Sequence, residues 1–288
     1  MANKDGESLS RWWGYSKEML FDELDMGFSD LTTISEKETR YKNKPDAKTA
    51  RLLASFYNTQ GEVKKATTFF KEAAKYDPEN DYALELFQIY ATGYRKKVYT
   101  LKEMQTAAEN AVNSTQVDDN AKTGIYAQMT NVIKEDPKDE KMLAFLIQGY
   151  NHLDSHQEGS PKFAIDAINI SYALYIDKDE NEAVKLKKGS YRDGWQDNPS
   201  DLNGFAWWCF ENKINLKDAR QLGERGIKLA QPGREKAMIL DTVAEIANLE
   251  GSPEEAIVFT EQALIEDPDN EFYQKQLERF RKLYKKDI

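Results

Sequence analysis

A short block occurs twice in the chain, as KEAAKYDPENDY at residues 71–82 and as EQALIEDPDNEFY at residues 261–273. In both copies an alanine-containing run ends at an Asp-Pro pair, where proline stops a helix because it has no backbone N–H to donate. A shorter echo, KEDPK, occupies residues 134–138. Recurrence of one block at distant places is typical of a chain built from repeated structural units.

Each full block sits at the end of a helix–turn–helix unit of about thirty-four residues, which gives units 47–80 and 237–270, with a further unit at 200–233. Apolar positions recur at i, i+3, i+4 and i+7, as on one face of a helix. Small residues recur where two helices must approach closely, and large ones fill the remaining space. These small residues are Ala54, Gly61, Ala66 and Ala73, then Ala206, Ala219, Gly223 and Gly226, then Ala244, Gly251, Ala256 and Ala263.

This pattern of small and large residues resembles that of the tetratricopeptide (TPR) repeat family. The resemblance implies an all-α fold, a right-handed α-solenoid of antiparallel helix pairs. Between the clear units the match degrades, because residues 95–100 lengthen one turn and residues 155–160 insert a loop. We therefore expect an irregular middle.

The sequence divides into an N-terminal region that lacks the repeat and a repeat domain. Residues 1–44 do not match the repeat and are predicted to form an N-terminal helical cap or a docking element, with helices at 16–26 and 29–42. A solenoid needs such a cap because its first core face is otherwise exposed. Residues 45–288 form the predicted helical-repeat domain, which ends in a capping helix at 271–288.

Composition excludes several classes of function. The 288 residues include 40 Lys and Arg against 50 Asp and Glu, a formal net charge of -10, which argues against a protein that neutralises a nucleic-acid backbone. No apolar run is long enough to predict a membrane span. The chain opens without a charged-then-apolar leader, which predicts a cytoplasmic location; a periplasmic location is the alternative if the chain is part of a longer secreted protein.

Few residues point to catalysis or metal binding. His152 and His156 are four apart, which is metal-ligand spacing on a helix, but Leu153 stands where a zinc-protease motif requires glutamate. We interpret them as an exposed helix end and predict no metal. Cys209, the only cysteine, lies in an apolar segment without a nearby histidine to activate it, so a packed core thiol is predicted. No catalytic residue and no cofactor are predicted.

The TPR resemblance also implies a binding face. In that family ligands lie along the concave face, which the second, fifth, ninth and twelfth residues of each first helix line. We expect a directional ligand, because one end of this face is basic and polar and the other is acidic. Trp208 has two open interpretations, the energetic centre of binding or a filler of the helical core. The implied binding residues are Lys48, Arg51, Ser55 and Asn58, then Trp208 and Glu211, then Asp241, Glu245 and Asn248.

A second resemblance covers residues 203–277, which look like the C-terminal helical-repeat region of bacterial proteins whose N-terminal half is a thioredoxin-like domain. The chain has no Cys-x-x-Cys motif, so any redox domain would lie outside it. We predict a non-enzymatic scaffold that binds a protein or peptide. The alternative is an accessory region that positions substrates for a thioredoxin-like partner domain, and a helical hydrolase that uses Asp and Glu is a third interpretation.

Overall fold

The computed structural model describes residues 30–284, in which the chain forms two compact units. The first unit comprises the residues up to 129 together with 156–160. Its described helices are α1 (Ile34–Asn43), α2 (Ala47–Thr59), α3 (Val63–Tyr76), α4 (Ala83–Arg95), α5 (Leu101–Asn113) and most of α6 (Asp119–Ile133).

The second unit comprises residues 130–155 and those from 161 onward. It holds nearly all of α7 (Glu140–His156), then α8 (Lys162–Tyr172), which continues as a π-helix (Ala173–Asp177), and α9 (Glu180–Gly189). A 3₁₀ turn (Trp195–Asp197) leads into α10 (Pro199–Asn212), α11 (Leu216–Leu229), α12 (Arg234–Leu249), α13 (Pro253–Glu266) and α14 (Glu271–Tyr284).

Every regular element within residues 30–284 is helical, which confirms the predicted all-α class. In the same range, no helix combines the length and the apolar character needed to cross a membrane. The predicted helix at 16–26 lies outside the described residues. The proposed division into regions 1–44 and 45–288 stays a prediction.

The helix predicted at 29–42 begins later, at Ile34, so its predicted start is wrong. Thr33 caps this helix: its hydroxyl accepts a hydrogen bond from Glu36 N at 3.2 Å, and Glu36 Oε2 accepts one from Thr33 N at 2.7 Å. Such a reciprocal capping box satisfies two backbone donors that an α-helix leaves unpaired at its start. The same device is present at the start of α5, between Thr100 and Glu103.

Helices α2 and α3 pair through the small residues that the sequence marks. Ala54, Ala66 and Ala73 are completely buried, and the chain turns between the helices at Gly61, whose φ is +76°. Leu53 is equally buried in the same core. The repeat unit predicted at 47–80 is thus a packed helix pair.

Helices α11 and α12 of the second unit approach each other closely at Gly223. A methyl group built on Gly223 would come within 2.6 Å of Val243 Cγ2, well inside van der Waals contact. Val243 is completely buried and β-branched, so its side chain has little freedom to move away. The absence of a side chain at residue 223 therefore sets the separation of these helices.

Gly223→Ala is expected to lower the free energy of unfolding by about 1–3 kcal/mol, because the added methyl group overpacks this contact. Gly124→Ala is the matched control: it also lies inside a helix, but nothing lies within 4 Å of the added atom. There the loss of glycine's backbone entropy should stabilise the protein by about 0.5–1 kcal/mol. Urea unfolding of both variants tests the pair, and effects of the same sign would contradict it.

A buried lysine anchors the start of the described chain. Lys37 of α1 is completely buried, and its Nζ donates to the backbone oxygens of Asp30, at 3.1 Å, and Thr32. The Asp30 carboxylate lies 3.7 Å from Lys37 Nζ and also accepts from Arg40 Nη2. Burial lowers the pKa of Lys37, and the neighbouring Asp30 partly opposes this shift. These contacts hold residues 30–33 against α1.

Candidate functional site

The first unit contains a groove of about 660 Å³, here called the α4–α5 groove. One face of α4 and one face of α5 form its walls, and Lys71 of α3 also lines it. The lining residues are Lys71, Asp81, Ala83, Leu86, Tyr90, Lys102, Glu103, Thr106, Ala107, Asn110, Asn113 and Ser114.

The spacing within α5 places its lining residues on one helix face. Lys102, Thr106, Asn110 and Asn113 follow one another at intervals of three and four residues, so they point to the same side. The capping box fixes where this face begins, because Glu103 Oε2 accepts from Thr100 N at 2.8 Å. These hydrogen bonds hold the pKa of Glu103 below its ordinary value, and the positive Lys71 and Lys64 contribute. Glu103 thus stays ionised while engaged at the cap.

The lengthened turn after α4 fixes the opposite wall. Tyr99 folds back onto α3, where its hydroxyl donates to Thr67 Oγ1 at 2.8 Å, and its ring centre lies 4.5 Å from that of Tyr90. Lys71 Nζ donates to the Tyr90 hydroxyl at 3.0 Å. The irregular turn therefore orients an aromatic ring and a cation toward the groove.

The lining combines an apolar floor with polar groups that are ready for a ligand. Ala83 and Ala107 are buried, whereas Asn110, Asn113 and Lys102 are exposed. The two asparagine amides and the Lys102 ammonium make no hydrogen bond to another described residue. Each amide offers two N–H donors and a carbonyl acceptor. This arrangement can pair with the N–H and C=O groups of an extended peptide and with a carboxylate.

The binding residues implied for the first repeat lie outside this groove. Lys48, Arg51, Ser55 and Asn58 lie along α2, and Arg51 lines a separate cleft of about 500 Å³ with Asp77 and Tyr82. The α4–α5 groove was missed because the lengthened turn at 95–100 obscures the repeat register. The sequence does contain one signal for the groove, the spacing of three and four residues that places Lys102, Thr106, Asn110 and Asn113 on one helix face.

In the second unit Trp208 and Glu211 come together in one small cavity. Trp208 lies half-buried beside the core around Phe205, with 6.2 Å between ring centres, so it both packs on the core and lines the cavity. Glu211 Oε1 accepts from Lys134 Nζ at 2.5 Å. The two interpretations of Trp208 are therefore compatible.

The acidic residues implied for the last repeat face helix α14. Asp241 Oδ1 accepts from Gln276 Nε2 at 3.1 Å, and Glu245 Oε1 accepts from Gln276 and, at 2.6 Å, from Arg279. Asp241 is buried, and burial, with the nearby Glu245, raises its pKa to about 7. These two side chains bind the last helix, while Asn248 lies half-buried near the end of α12.

The raised pKa of Asp241 predicts a pH dependence of stability. The folded protein favours the protonated carboxyl, so the stabilising contribution is complete below the unfolded value of about 3.8 and is lost as the pH rises through about 7. Asp241→Asn should raise the free energy of unfolding at about pH 8 by at least about 1.4 kcal/mol, one pKa unit, and change it little at about pH 4. Unfolding curves at both pH values test this. Asp269→Asn, at an exposed position, is the control, and an equal effect of the two variants would contradict the prediction.

The structure also shows the surroundings of the two histidines and the single cysteine. His156 Nε2 lies 3.3 Å from Asp119 Oδ2, a carboxylate that the sequence did not single out, and His152 lies one turn earlier on α7. Asp119 and His156 are thus two side chains whose types can bind a metal ion. Cys209 is completely buried, and burial raises its pKa to about 12, so its thiol stays protonated at neutral pH.

Comparison with known proteins adds no assignment. No protein-family model matches the chain, and no curated protein sequence matches it. The TPR resemblance and the thioredoxin association stay predictions.

Proposed function

We propose that this protein is a non-enzymatic helical-repeat scaffold that binds an extended peptide or protein segment, with the α4–α5 groove as its binding surface. The observation that carries the proposal is the row of Lys102 and two asparagine amides along one face of α5, open to solvent above an apolar floor, together with Lys71 of α3, which also lines the groove. We further propose that the helix pairs within each unit stack in the right-handed, TPR-like manner.

The charges of the groove favour a segment that carries a carboxylate. Asp81 Oδ1 accepts from Ala83 N at 3.0 Å and Glu103 accepts from Thr100, so both acidic residues are engaged in starting helices. Lys71 donates to the Tyr90 hydroxyl but forms no ion pair with a described residue. A carboxylate placed between the lysines gains a charge-assisted hydrogen bond, which is about twice as strong as a neutral one.

The proposal can be tested by selecting binders from a phage-displayed library of random peptides against the full chain. Peptides from the selection, labelled with a fluorophore, are then titrated with variants in an anisotropy assay. Asn110→Ala and Lys71→Ala should each weaken binding about tenfold, equivalent to about 1.4 kcal/mol. The selected peptides should be enriched in Asp and Glu.

Glu109→Ala provides the matched control, because Glu109 is the exposed neighbour of Asn110 but does not line the groove. Arg51→Glu tests the alternative register on α2. The proposal fails if no peptide is selected, or if the selected peptides bind both groove variants as tightly as the original chain.

A further inference from the structure

A cavity in the second unit, the Lys187 pocket, has features of a small-molecule site and shares no residue with the α4–α5 groove. It encloses about 150 Å³. Its walls come from the end of α6, from α8 and the π-helix, from α9 and from α10. The lining residues are Thr130, Asn131, Lys134, Ala167, Ile170, Ser171, Leu174, Tyr175, Lys187, Trp208, Glu211 and Asn212.

The π-helix shapes one wall of this pocket. Such single-turn π segments are rare and occur frequently at functional sites. Within Ala173–Asp177 the wider turn brings two successive residues, Leu174 and Tyr175, to the cavity. The Tyr175 hydroxyl donates to Asn212 Oδ1 at 2.6 Å, and Asn212 Nδ2 donates to the Trp208 backbone oxygen at 2.8 Å. The polar wall is therefore held in place without a ligand.

The ammonium of Lys187 has no carboxylate partner among the described residues that line the pocket. Glu211 is paired with Lys134 at 2.5 Å, and the nearby Asp166 is paired with Lys162 at the same distance. Lys187 forms no hydrogen bond and no ion pair with a described residue. Its ammonium lies 4.9 Å from the ring centre of Tyr191 and 6.0 Å from that of Trp208.

This environment is poor for an isolated ammonium. Burial lowers the pKa of Lys187, and its more distant neighbours Cys209 and Asp166 only partly oppose the shift. Two aromatic faces stabilise a cation less than a hydrogen-bonded carboxylate does. A ligand that brings a negative charge to Nζ therefore supplies the contact that the protein itself does not.

We propose that the Lys187 pocket binds a small carboxylic acid with an aromatic or apolar body. The carboxylate pairs with Lys187 Nζ, and the body packs against Trp208 and Leu174. The volume agrees with this class, because a cavity of about 150 Å³ accommodates a benzene-sized ring. A free acid and the C-terminal carboxylate of a peptide share this chemistry.

The test uses the full chain, titrated with benzoate and with N-acetylphenylalanine and followed by calorimetry. Saturable binding with a dissociation constant of about 1 mM or tighter is expected for at least one acid. Tighter binding of benzoate identifies a free acid as the ligand class, and tighter binding of N-acetylphenylalanine identifies a peptide terminus. Benzamide, which has the same ring and no charge, should bind about tenfold more weakly or not at all.

Lys187→Met removes the ammonium while keeping a long side chain, and should weaken binding of the acid at least about tenfold. Lys185→Met is the matched control, because Lys185 lies on the same helix, is exposed and pairs with Glu182; it should bind as the original chain does. Melting curves establish whether each variant is folded.

Nuclear magnetic resonance of the original protein gives an independent test. The ¹³Cε resonance of Lys187 is first assigned by its absence from the spectrum of the Lys187→Arg variant. In the original protein this resonance should shift when benzoate is added and should not shift when benzamide is added. The proposal is overturned if neither acid binds at about 10 mM, far above the expected dissociation constant. It is also overturned if benzamide binds as tightly as benzoate, or if acid binding leaves the Lys187 resonance unchanged.

Discussion

Phe280→Ala is expected to lower the free energy of unfolding by about 3–5 kcal/mol, the range for removing a large aromatic side chain from a core. Phe280 is completely buried, and it packs against Ala244, Ala247 and Ala256. The other completely buried members of this cluster are alanines, which cannot extend into the cavity that the substitution leaves. The docking of α14 on α12 and α13 depends on this side chain.

Phe272→Ala is the matched control. Phe272 lies on the same helix with 56% of its surface exposed, so its removal should change stability by no more than about 0.5 kcal/mol. Guanidinium unfolding followed by circular dichroism measures both effects. Equal losses in the two variants would show that α14 is not held by the buried face described above.

Lys37→Met should be the second severe substitution, with a loss of about 3 kcal/mol. Removing one partner of a buried ion pair typically destabilises a protein by about 3–5 kcal/mol, because the other partner is left buried and uncompensated. Here the loss falls at the lower end, since Arg40 still pairs with Asp30. The backbone oxygens of Asp30 and Thr32 also lose their donor.

The control for this prediction is Lys42→Met on the same helix, where the side chain is exposed. Lys42 lies in the last turn of α1, so its loss should cost no more than about 0.5 kcal/mol of favourable interaction with the helix dipole. Thermal melting of both variants separates the two positions. A stable Lys37→Met protein would mean that the buried ammonium is dispensable for this part of the fold.

Local patterns predicted much of the helical framework. The small residues Ala54, Ala66 and Ala73 are all completely buried in the α2–α3 pair, because helix packing imposes its spacing directly on the sequence. The capping box at Thr100 was equally readable, since its two residues lie three positions apart. Both signals are contained within a few turns of the chain.

The candidate sites were harder to predict from local sequence patterns. The α4–α5 groove depends on Tyr99 folding back onto Thr67, a contact between residues 32 positions apart. The Lys187 pocket depends on a π-helix, which departs from the 3.6-residue period used to assign helix faces. The pairing of Asp241 and Glu245 with α14 joins residues more than thirty positions apart. The 3,4-spacing along α5 marks one wall of the groove, but each complete site depends on tertiary contacts between residues far apart in the chain.

The order of helix contacts in residues 199–284 has a kinetic consequence. Each helix from α10 to α14 packs on the next one along the chain, and α10 also contacts α12. Contacts between elements this close in sequence require little loop-closure entropy, which favours rapid folding. Arrays with such nearest-neighbour coupling open by fraying from an end rather than all at once. Amide hydrogens of α14 should therefore exchange with solvent sooner than those of α13, and those of α12 last.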